Sequence, residues 1–310
     1  MKENTKYIAV TIDNNYVQHC GTMLVSLFEN NSDDNFLIFV IHNGISSSDK
    51  NKLSKQVAIY NQLIEFIEID ESIIKHAPVS CHVSLATYYR ILLPDVLPDY
   101  VTKVLFLDCD IIVRAPIGYL WSDLTKDYSH LASENPMSEE KKQRLGMSSY
   151  SKYFNAGVLL INLQYWRERK IKEQALNFIA NNPDKIVFWD QDVLNAVLEN
   201  QWKKISYLWN AQEFFFREDF DAFKIGIPDD YYQAIQSNPY IIHFTGSSKP
   251  WFREVEHPFK NEYLHYLSKS LWAGSPLKTF AVKQKSNIVQ AIKNKLKNVW
   301  NSWGFTQSER

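Results

Sequence analysis

The sequence predicts an α/β protein whose mainly parallel sheet is flanked by helices. Short apolar runs rich in β-branched and aromatic residues occupy positions 7–12, 36–41 and 63–69, and segments of helical periodicity separate them. Strands and helices that alternate at this length form βαβ units with right-handed crossovers. A chain of 310 residues with 45% hydrophobic residues can also bury a large core. In such sheets, ligands bind where the carboxyl ends of the strands meet.

The first strand ends in polar residues and one aromatic ring. Asp13, Asn15 and Tyr16 follow it directly, before a helical pattern begins. Two polar side chains and a ring suit a nucleobase held by hydrogen bonds and stacking, although an Asx turn between strand and helix explains the same residues. No glycine-rich loop follows the strand, which argues against a dinucleotide site or a P-loop.

A packed helix is predicted over the segment LATYYRILL at 85–93. Its apolar residues form one face, and Arg90 projects from the polar side. An arginine there suits an anionic or hydroxyl-rich ligand, and a surface ion pair is the alternative.

Two carboxylates follow the apolar strand predicted at 103–107. Asp108 and Asp110 are separated by one residue, so their side chains can point the same way. Close carboxylates repel unless a cation lies between them, and hard oxygen ligands suit Mg²⁺ or Mn²⁺. The alternative is a solvated pair at a strand end. The chain holds two other such pairs, Asp190/Asp192 and Asp219/Asp221, and neither directly follows an apolar strand.

Three later segments bring further candidates. A very apolar strand is predicted at 153–163. Asn155 and Gly157 lie near its start, and a glycine there permits close backbone approach to a ligand. Asp190 and Gln191 precede a helical pattern, where carboxylates are also favoured by the helix dipole alone. A final strand at 240–244 carries His243, which read alone is usually structural. The loop TGSSKPW after it could bring backbone donors and an ammonium group to phosphates.

Composition and charge limit the function classes. A net charge of −1 gives no reason to expect nucleic acid as a partner. The three cysteines show no metal-site spacing and no disulfide framework, which favours a reducing, cytosolic setting. Neither a signal peptide nor a membrane span is expected, since no long apolar run is present.

The segment 276–310 differs from the rest of the chain. It is basic, and apolar residues recur in it every three or four positions, with tryptophans near the end. We expect a catalytic domain over 1–275 and a basic amphipathic helical tail that binds an anionic membrane surface, with a helix docked on the catalytic domain as the alternative.

Six short segments, taken in order, resemble the motif series of glycosyltransferase family 8: DNNY at 13–16, HVSLATYYR at 82–90, FLDCDIIV at 106–113, FNAGVLLINL at 154–163, WDQDVLN at 189–195 and HFTGSSKPW at 243–251. The similarity covers residues 6–260 and is greatest to the bacterial lipopolysaccharide galactosyl- and glucosyltransferases.

This resemblance implies a GT-A fold, a Mn²⁺ or Mg²⁺ ion, a UDP-hexose donor and a glycan or glycolipid acceptor, with retention of anomeric configuration. From the basic tail and the cytosolic setting we expect the protein at the inner face of the cell membrane. The resemblance implies that the site residues divide into four groups: Asp108, Asp110 and His243 as metal ligands; Asp13, Asn15 and Tyr16 at uridine; His82, Gly246 and Lys249 at the diphosphate; Arg90, Asn155, Asp190 and Gln191 around the donor sugar. The family often has aspartate where this chain has Glu134.

Two other functions fit parts of the pattern. Phosphohydrolases of the haloacid-dehalogenase type also present Asp-x-Asp at the end of an apolar strand, but there the motif normally opens the fold. A non-catalytic nucleotide-sugar-binding protein is the other alternative, against which the full set of candidate metal ligands argues.

Overall fold

The computed structural model describes residues 4–79, 84–136 and 139–279. The strands within these ranges are β1 (Lys6–Ile12), β2 (Phe36–His42), β3 (Leu63–Glu68), β4 (Lys103–Leu107), β5 (Ile111–Val113), β6 (His130–Glu134), β7 (Phe154–Asn162), β8 (Lys203–Ile205), β9 (Ala211–Gln212) and β10 (Ile241–His243). The α-helices are α1 (Val17–Glu29), α2 (Ser47–Ile59), α3 (Leu93–Val96), α4 (Gly118–Ser122), α5 (Glu139–Arg144), α6 (Leu163–Glu168), α7 (Ile171–Asn181), α8 (Trp189–Val197), α9 (Asp229–Ser237) and α10 (Lys260–Lys269).

A seven-stranded mixed sheet, in the order β3-β2-β1-β4-β7-β6-β8, forms the centre of the fold. Strands β3, β2, β1 and β4 are mutually parallel, as the alternating pattern of the sequence predicts. Strand β7 runs antiparallel to both β4 and β6. The prediction of a mainly parallel sheet is therefore confirmed, and the reversed β7 is an addition that apolar periodicity cannot reveal, because this strand is buried on both faces.

Helices cover both faces of the sheet because successive strand residues point to opposite sides. In β1, Ile8 and Val10 join a core cluster that includes α1 and the end of α10, whereas Ala9 joins a cluster on the other face that includes α7 and α8. Helix α2 begins as the sequence predicts, with the Ser46 hydroxyl accepting a hydrogen bond from the backbone N–H of Asp49 at 3.0 Å.

A second, smaller sheet extends the fold beyond the carboxyl end of β4. Its strand order is β5-β10-β9, with β10 antiparallel to β5 and parallel to β9. The chain leaves β4, makes a short turn through Asp108–Asp110 and enters β5. The turn therefore lies between the two sheets, and β10 delivers its last residue, His243, beside it.

Two predictions about individual segments need correction or stay open. The segment Leu85–Leu92 is a 3₁₀ helix rather than an α-helix. The predicted tail lies, from residue 280 onward, outside the described residues. Before that point, Lys278 forms two backbone hydrogen bonds of 2.9 Å, to Trp251 and Arg253. The domain boundary at 275 stays a prediction.

Within the described ranges, no helix combines the length and the apolar character needed to cross a membrane.

Candidate active site

Three predicted metal ligands meet at the junction of the two sheets. The Nε2 atom of His243 lies 3.2 Å from Asp110 Oδ1 and 3.7 Å from Asp108 Oδ2. One candidate ligand atom from each residue lies within 4.8 Å of the others. Asp110 and His243 are buried, and Asp108 is half-buried. The sequence prediction that these side chains converge is confirmed.

The backbone around the cluster explains why the side chains converge. The N–H of Asp108 donates to the carbonyl of Gly157 at 2.9 Å, and the N–H of Phe244 donates to the carbonyl of Asp110 at 2.9 Å. A Cβ on Gly157 would lie 2.1 Å from His243 Cε1 and 2.6 Å from Asp108 Oδ2. The glycine that the sequence places at the start of β7 is therefore needed because two candidate metal ligands occupy the space of its missing side chain.

The ammonium group of Lys249 completes this region. It contacts Asp110 Oδ2 and donates a hydrogen bond of 2.7 Å to the Phe244 carbonyl. Burial opposes ionisation of Asp110, but the charge of the Lys249 ammonium beside it helps to hold the pKa of the Asp110 carboxyl well below its usual range. Asp110 is thus an anion available to a cation at neutral pH.

The donor set fits a divalent cation such as Mn²⁺. Two carboxylates and one imidazole nitrogen are oxygen and nitrogen ligands of the kind that these ions accept. The other ring nitrogen of His243, Nδ1, lies 2.9 Å from Asn210 Oδ1, which leaves Nε2 facing the carboxylates. Metal-bound histidines usually have such a hydrogen-bonding partner behind them.

Arg90 is buried, contrary to the expectation of a side chain on the polar face of a helix. It is 4% exposed, and its guanidinium packs 4.2 Å from the centre of the Phe106 ring. Its Nη2 donates to Asp108 Oδ1 at 2.9 Å, and its Nε lies 2.9 Å from Asp190 Oδ2. Arg90 therefore forms a buried double ion pair that links Asp108, one of the candidate metal ligands, to Asp190. The alternative of a surface ion pair is wrong.

Asp190 lies against Arg90 with one oxygen incompletely satisfied. Its Oδ1 accepts a hydrogen bond from the Thr87 hydroxyl. Arg90 Nε directs its hydrogen to the Thr87 carbonyl, at 3.1 Å, so among the described residues Asp190 Oδ2 accepts no hydrogen bond. Burial raises the pKa of Asp190 from its ordinary value of 3.8 to about 6, against the opposing effect of Arg90.

This raised pKa predicts a dependence of stability on pH. Between pH 4 and 6 the folded state keeps a proton on Asp190 that the unfolded state loses, so the free energy of unfolding falls as pH rises. We expect Asp190→Asn to remove about 1–3 kcal/mol of this fall. Urea denaturation of the wild type and of Asp190→Asn from pH 4 to 7 measures the free energy of unfolding of each. The contributions of other titrating groups cancel in the difference between the two proteins. Parallel curves would contradict the prediction.

The amide side chains form a second group beside the cluster. Asn155 Nδ2 donates to Gln191 Oε1 at 3.0 Å, and Asn155 Oδ1 accepts from Asn210 Nδ2 at 2.9 Å. Gln191 Nε2 donates to the Tyr153 hydroxyl at 3.2 Å. The structure thus brings the predicted residues Asn155 and Gln191 together and connects them to His243 through Asn210.

The residues after β1 are both a turn and a candidate binding surface. Asp13 Oδ1 accepts a hydrogen bond of 2.8 Å from the N–H of Asn15, which confirms the Asx turn. Tyr16 packs edge-on against Trp251, with 5.8 Å between the ring centres. Burial and then the charge of Asp110 raise the pKa of the Tyr16 phenol far above its usual range, so its hydroxyl stays protonated and can donate.

Two further predicted residues have definite surroundings, and one cannot be placed. Gly246 has φ +76° and faces Glu213, whose Oε2 would lie 2.9 Å from an added Cβ. Glu134 forms an ion pair with Lys204, with 2.5 Å between the carboxylate and the ammonium nitrogen. His82 lies outside the described residues.

Comparison with known proteins shows the family of this chain. The family model described as glycosyl transferase family 8 matches residues 7–255. The chain is a family 8 glycosyltransferase. General stress protein A of Bacillus subtilis (strain 168) is 34% identical to this glycosyltransferase over 280 residues, which are 87% of this chain and 96% of that protein. The lipopolysaccharide 1,3-galactosyltransferase of Salmonella typhimurium is 27% identical over 277 residues, 86% of this chain and 79% of the relative.

The solved structures agree with this assignment. Galactosyltransferase LgtC, in complex with donor and acceptor sugar analogues, matches the family 8 glycosyltransferase with a TM-score of 0.76 and 26% identity, over 86% of this chain and 96% of LgtC. The predicted GT-A fold and the relation to lipopolysaccharide galactosyl- and glucosyltransferases are confirmed. Membership of this enzyme family decides against the phosphohydrolase and the non-catalytic binding protein.

Sequence reasoning did not single out two polar residues, Asn210 and Tyr153, that lie beside the candidate site residues in the structure of this glycosyltransferase. Asn210 is fully buried and contacts His243, and the Tyr153 hydroxyl links Gln191 to Asp192 at 2.7 Å. The one available signal for Asn210 is its position in the apolar segment YLWNA, where a polar side chain needs partners. Asp192 is fully buried and also accepts hydrogen bonds from Arg144 and two backbone N–H groups.

Proposed function

We propose that this glycosyltransferase moves a hexose, galactose or glucose, from a UDP-sugar to a glycan or glycolipid acceptor, with Mn²⁺ or Mg²⁺ bound and with retention of anomeric configuration. The observation that carries the proposal is the convergence of Asp108, Asp110 and His243, beside the Lys249 ammonium, at the strand ends of this fold. A divalent cation with a neighbouring ammonium suits a diphosphate.

The proposed donor site follows the edge of the sheet. Asp13 and Asn15 would hydrogen-bond the uridine, and Tyr16 would stack on its base. The ring of Tyr16 is supported edge-on by Trp251 and by His19, whose own rings stack at 3.5 Å. His82, Gly246 and Lys249 would bind the diphosphate. Gly246 and Lys249 belong to the loop that follows His243, so the diphosphate would lie next to the metal ligands.

Arg90, Asn155, Asp190 and Gln191 would surround the donor sugar, as hydrogen-bonding partners of its hydroxyl groups and of its reacting carbon. Neither of the two carboxylates that flank Gln191 in sequence, Asp190 and Asp192, is free to act as a nucleophile. Asp190 is held by Arg90 and Thr87, and Asp192 is buried with four hydrogen-bond donors. We therefore favour attack by the acceptor hydroxyl on the face from which UDP leaves.

In this reaction the bond between the anomeric carbon and the phosphate oxygen breaks as the bond to the acceptor oxygen forms. The hydroxyl proton passes to an oxygen of the departing UDP, so the enzyme itself gains and loses no proton. When bound, the cation would offset the negative charge that develops on the β-phosphate. Lys249 would stabilise the same charge, and the Gln191 side chain would steady the positive charge that develops on the sugar.

We expect Tyr16→Ala to raise the KM for the UDP-sugar by about tenfold and to leave kcat nearly unchanged, because stacking on the base is shared by ground and transition states. Initial-rate kinetics measure both constants. Tyr16→Phe is the matched control, because it keeps the ring against Trp251, and its KM should stay near wild type. A large fall in kcat at constant KM would show that Tyr16 acts at the reacting sugar instead.

The basic tail would bring this site to membrane-bound acceptors from the cytoplasmic side. We expect the full chain to bind anionic liposomes at low salt and a chain ending at Thr279 to lose that binding, because each basic residue near an anionic surface contributes about 1 kcal/mol before screening. Liposome co-sedimentation tests this. The truncation keeps the backbone contacts of Lys278, so its donor kinetics are the control. Equal binding by both chains would contradict the prediction.

The test of the proposed reaction uses UDP-galactose and UDP-glucose with Mn²⁺ and without an acceptor, so that water accepts the sugar slowly. Proton NMR during the first turnovers shows which anomer is released. We expect the α-anomer to appear first from one of the two donors. Initial release of the β-anomer would overturn retention, and no release from either donor would overturn the donor assignment.

A further inference from the structure

A continuous series of side-chain hydrogen bonds joins His243 to Gln191. His243 Nδ1 lies 2.9 Å from Asn210 Oδ1, Asn210 Nδ2 donates to Asn155 Oδ1 at 2.9 Å, and Asn155 Nδ2 donates to Gln191 Oε1 at 3.0 Å. An amide side chain can usually be turned to exchange its oxygen and nitrogen, so contacts between amides alone do not fix which atom donates. Here, two backbone groups remove that freedom.

The N–H of Gly157 donates to Asn155 Oδ1 at 3.0 Å, and the N–H of Ala156 donates to Gln191 Oε1 at 3.1 Å. A backbone N–H can only donate, so the atom facing each of these groups must be an oxygen. Turning either amide would place an NH₂ group against an N–H in a buried site, where an unsatisfied or clashing donor costs about 1–3 kcal/mol. The backbone at the start of β7 therefore sets the direction of both amides.

The orientation of Asn210 follows from that of Asn155. Because Asn155 presents an oxygen, Asn210 must present its NH₂ group to it, and its own oxygen then faces His243. A ring nitrogen next to a carbonyl oxygen must carry the proton. His243 thus keeps a proton on Nδ1, and Nε2 is the ring nitrogen that faces Asp108 and Asp110 and whose lone pair would bind a cation there.

We propose that Asn210 is a positioning residue, which fixes the tautomer and ring orientation of His243 for metal binding. The inference rests on the proposed role of His243 as a metal ligand. Asn210 itself is fully buried and reaches the site only through its two neighbours. Its place immediately before β9, which pairs with β10, holds it behind the His243 ring.

At the Gln191 end of the series, the hydrogen-bond donors point the same way along the chain of contacts as at the His243 end. Gln191 Nε2 donates to the Tyr153 hydroxyl at 3.2 Å, and that hydroxyl donates to Asp192 Oδ1 at 2.7 Å. A carboxylate accepts hydrogen bonds, so every donor from His243 onward points toward Asp192. The buried Asp192 thus supports the orientation of Gln191 and, through it, the same arrangement that Asn210 passes to the metal site.

The first test measures the dissociation constant for Mn²⁺ in full-length variants by EPR of the free ion, at saturating UDP. We expect Asn210→Ala to weaken Mn²⁺ binding about 10–100-fold, as the loss of a hydrogen-bonding partner behind a metal ligand usually does. Asn210→Asp keeps an oxygen for His243 Nδ1–H but loses the NH₂ group that donates to Asn155 Oδ1, so its affinity should lie between those of Asn210→Ala and the wild type. Thermal unfolding of each variant confirms that it is folded.

Asn31→Ala is the matched control, because Asn31 is also buried and hydrogen-bonded but anchors Leu27 and Ile117 away from this site. Its Mn²⁺ affinity should equal that of the wild type. The proposal is overturned if Asn210→Ala binds Mn²⁺ as the wild type does, if Asn210→Asp is as weak as Asn210→Ala, or if Asn31→Ala loses as much.

A second measurement needs no variant to bind metal and no activity. In the metal-free wild type with ¹⁵N-labelled histidines, long-range ¹H–¹⁵N spectra distinguish the two ring nitrogens, and the His243 signals are assigned by their absence from His243→Gln. We expect a proton on Nδ1. An unprotonated Nδ1 overturns the proposal even if the enzyme transfers hexose from a UDP-sugar, and a protonated Nδ1 supports it even if the donor assignment fails.

Discussion

Asp110→Asn should lose at least about 10³-fold in metal-dependent kcat/KM, which corresponds to about 4 kcal/mol of transition-state stabilisation. The change removes the charge of a proposed metal ligand whose Oδ1 lies 3.2 Å from His243 Nε2, and it leaves the Lys249 ammonium without its carboxylate partner. The side chain keeps its size, so the fold should survive. Initial rates with UDP-sugar over a range of Mn²⁺ concentrations measure the loss.

Asp221→Asn is the matched control for this change. Asp221 belongs to another Asp-x-Asp pair and is exposed, and its contacts are a surface ion pair with Lys224 and a hydrogen bond of 3.1 Å from the N–H of Phe223, so its variant should keep wild-type rates. Mn²⁺-dependent turnover by Asp110→Asn within tenfold of the wild type would refute the role of Asp110 as a metal ligand.

Arg90→Met should lower the free energy of unfolding by about 3–5 kcal/mol and abolish transfer, because it leaves two carboxylates without the cation that faces both of them. The guanidinium contacts Asp108 and Asp190 at 2.9 Å each while being 4% exposed. Denaturant titration in the absence of metal measures the stability. The double variant Arg90→Met/Asp190→Asn should recover part of the loss, since it removes one of the uncompensated charges.

Lys224→Met provides the comparison for a surface ion pair. The Lys224 side chain is 78% exposed and pairs with Asp221 at 3.4 Å, so its removal should cost less than about 1 kcal/mol. Equal losses of unfolding free energy in Arg90→Met and Lys224→Met would show that Arg90 does not act through its buried ion pairs. The same conclusion would follow if the double variant recovered no stability.

The sequence predicts those parts of the molecule in which local pattern decides the outcome. The first strands of the chain alternate with helical segments, which predicts that they are parallel. Because the carboxyl ends of parallel strands share one edge of the sheet, the position of Asp108 and Asp110 follows from the pattern alone. The Asx turn at Asp13 depends on neighbours two residues apart, and it is confirmed. The proposed role of His243 as a metal ligand rests instead on the family resemblance, because a lone histidine on a short strand carries no local signal.

The features that the sequence does not predict depend on contacts between distant segments. The direction of β7 is hidden because a strand buried on both faces is apolar throughout. Arg90 looks like a surface residue until Asp108 and Asp190, 18 and 100 positions away, are placed around it. Asn210 acquires its partners only when β9 pairs with β10, and nothing adjacent in sequence indicates that pairing.

The measurement that tests the central claim most directly is the anomalous scattering of Mn²⁺ in crystals of the full-length protein grown with UDP. We predict a strong anomalous difference peak bounded by carboxylate oxygens of Asp108 and Asp110 and by Nε2 of His243, about 2.0–2.3 Å from each. Soaking with Mg²⁺ should remove the peak. A Mn²⁺ peak bound elsewhere, or UDP bound at the sheet edge with no cation between these three residues, would contradict the account.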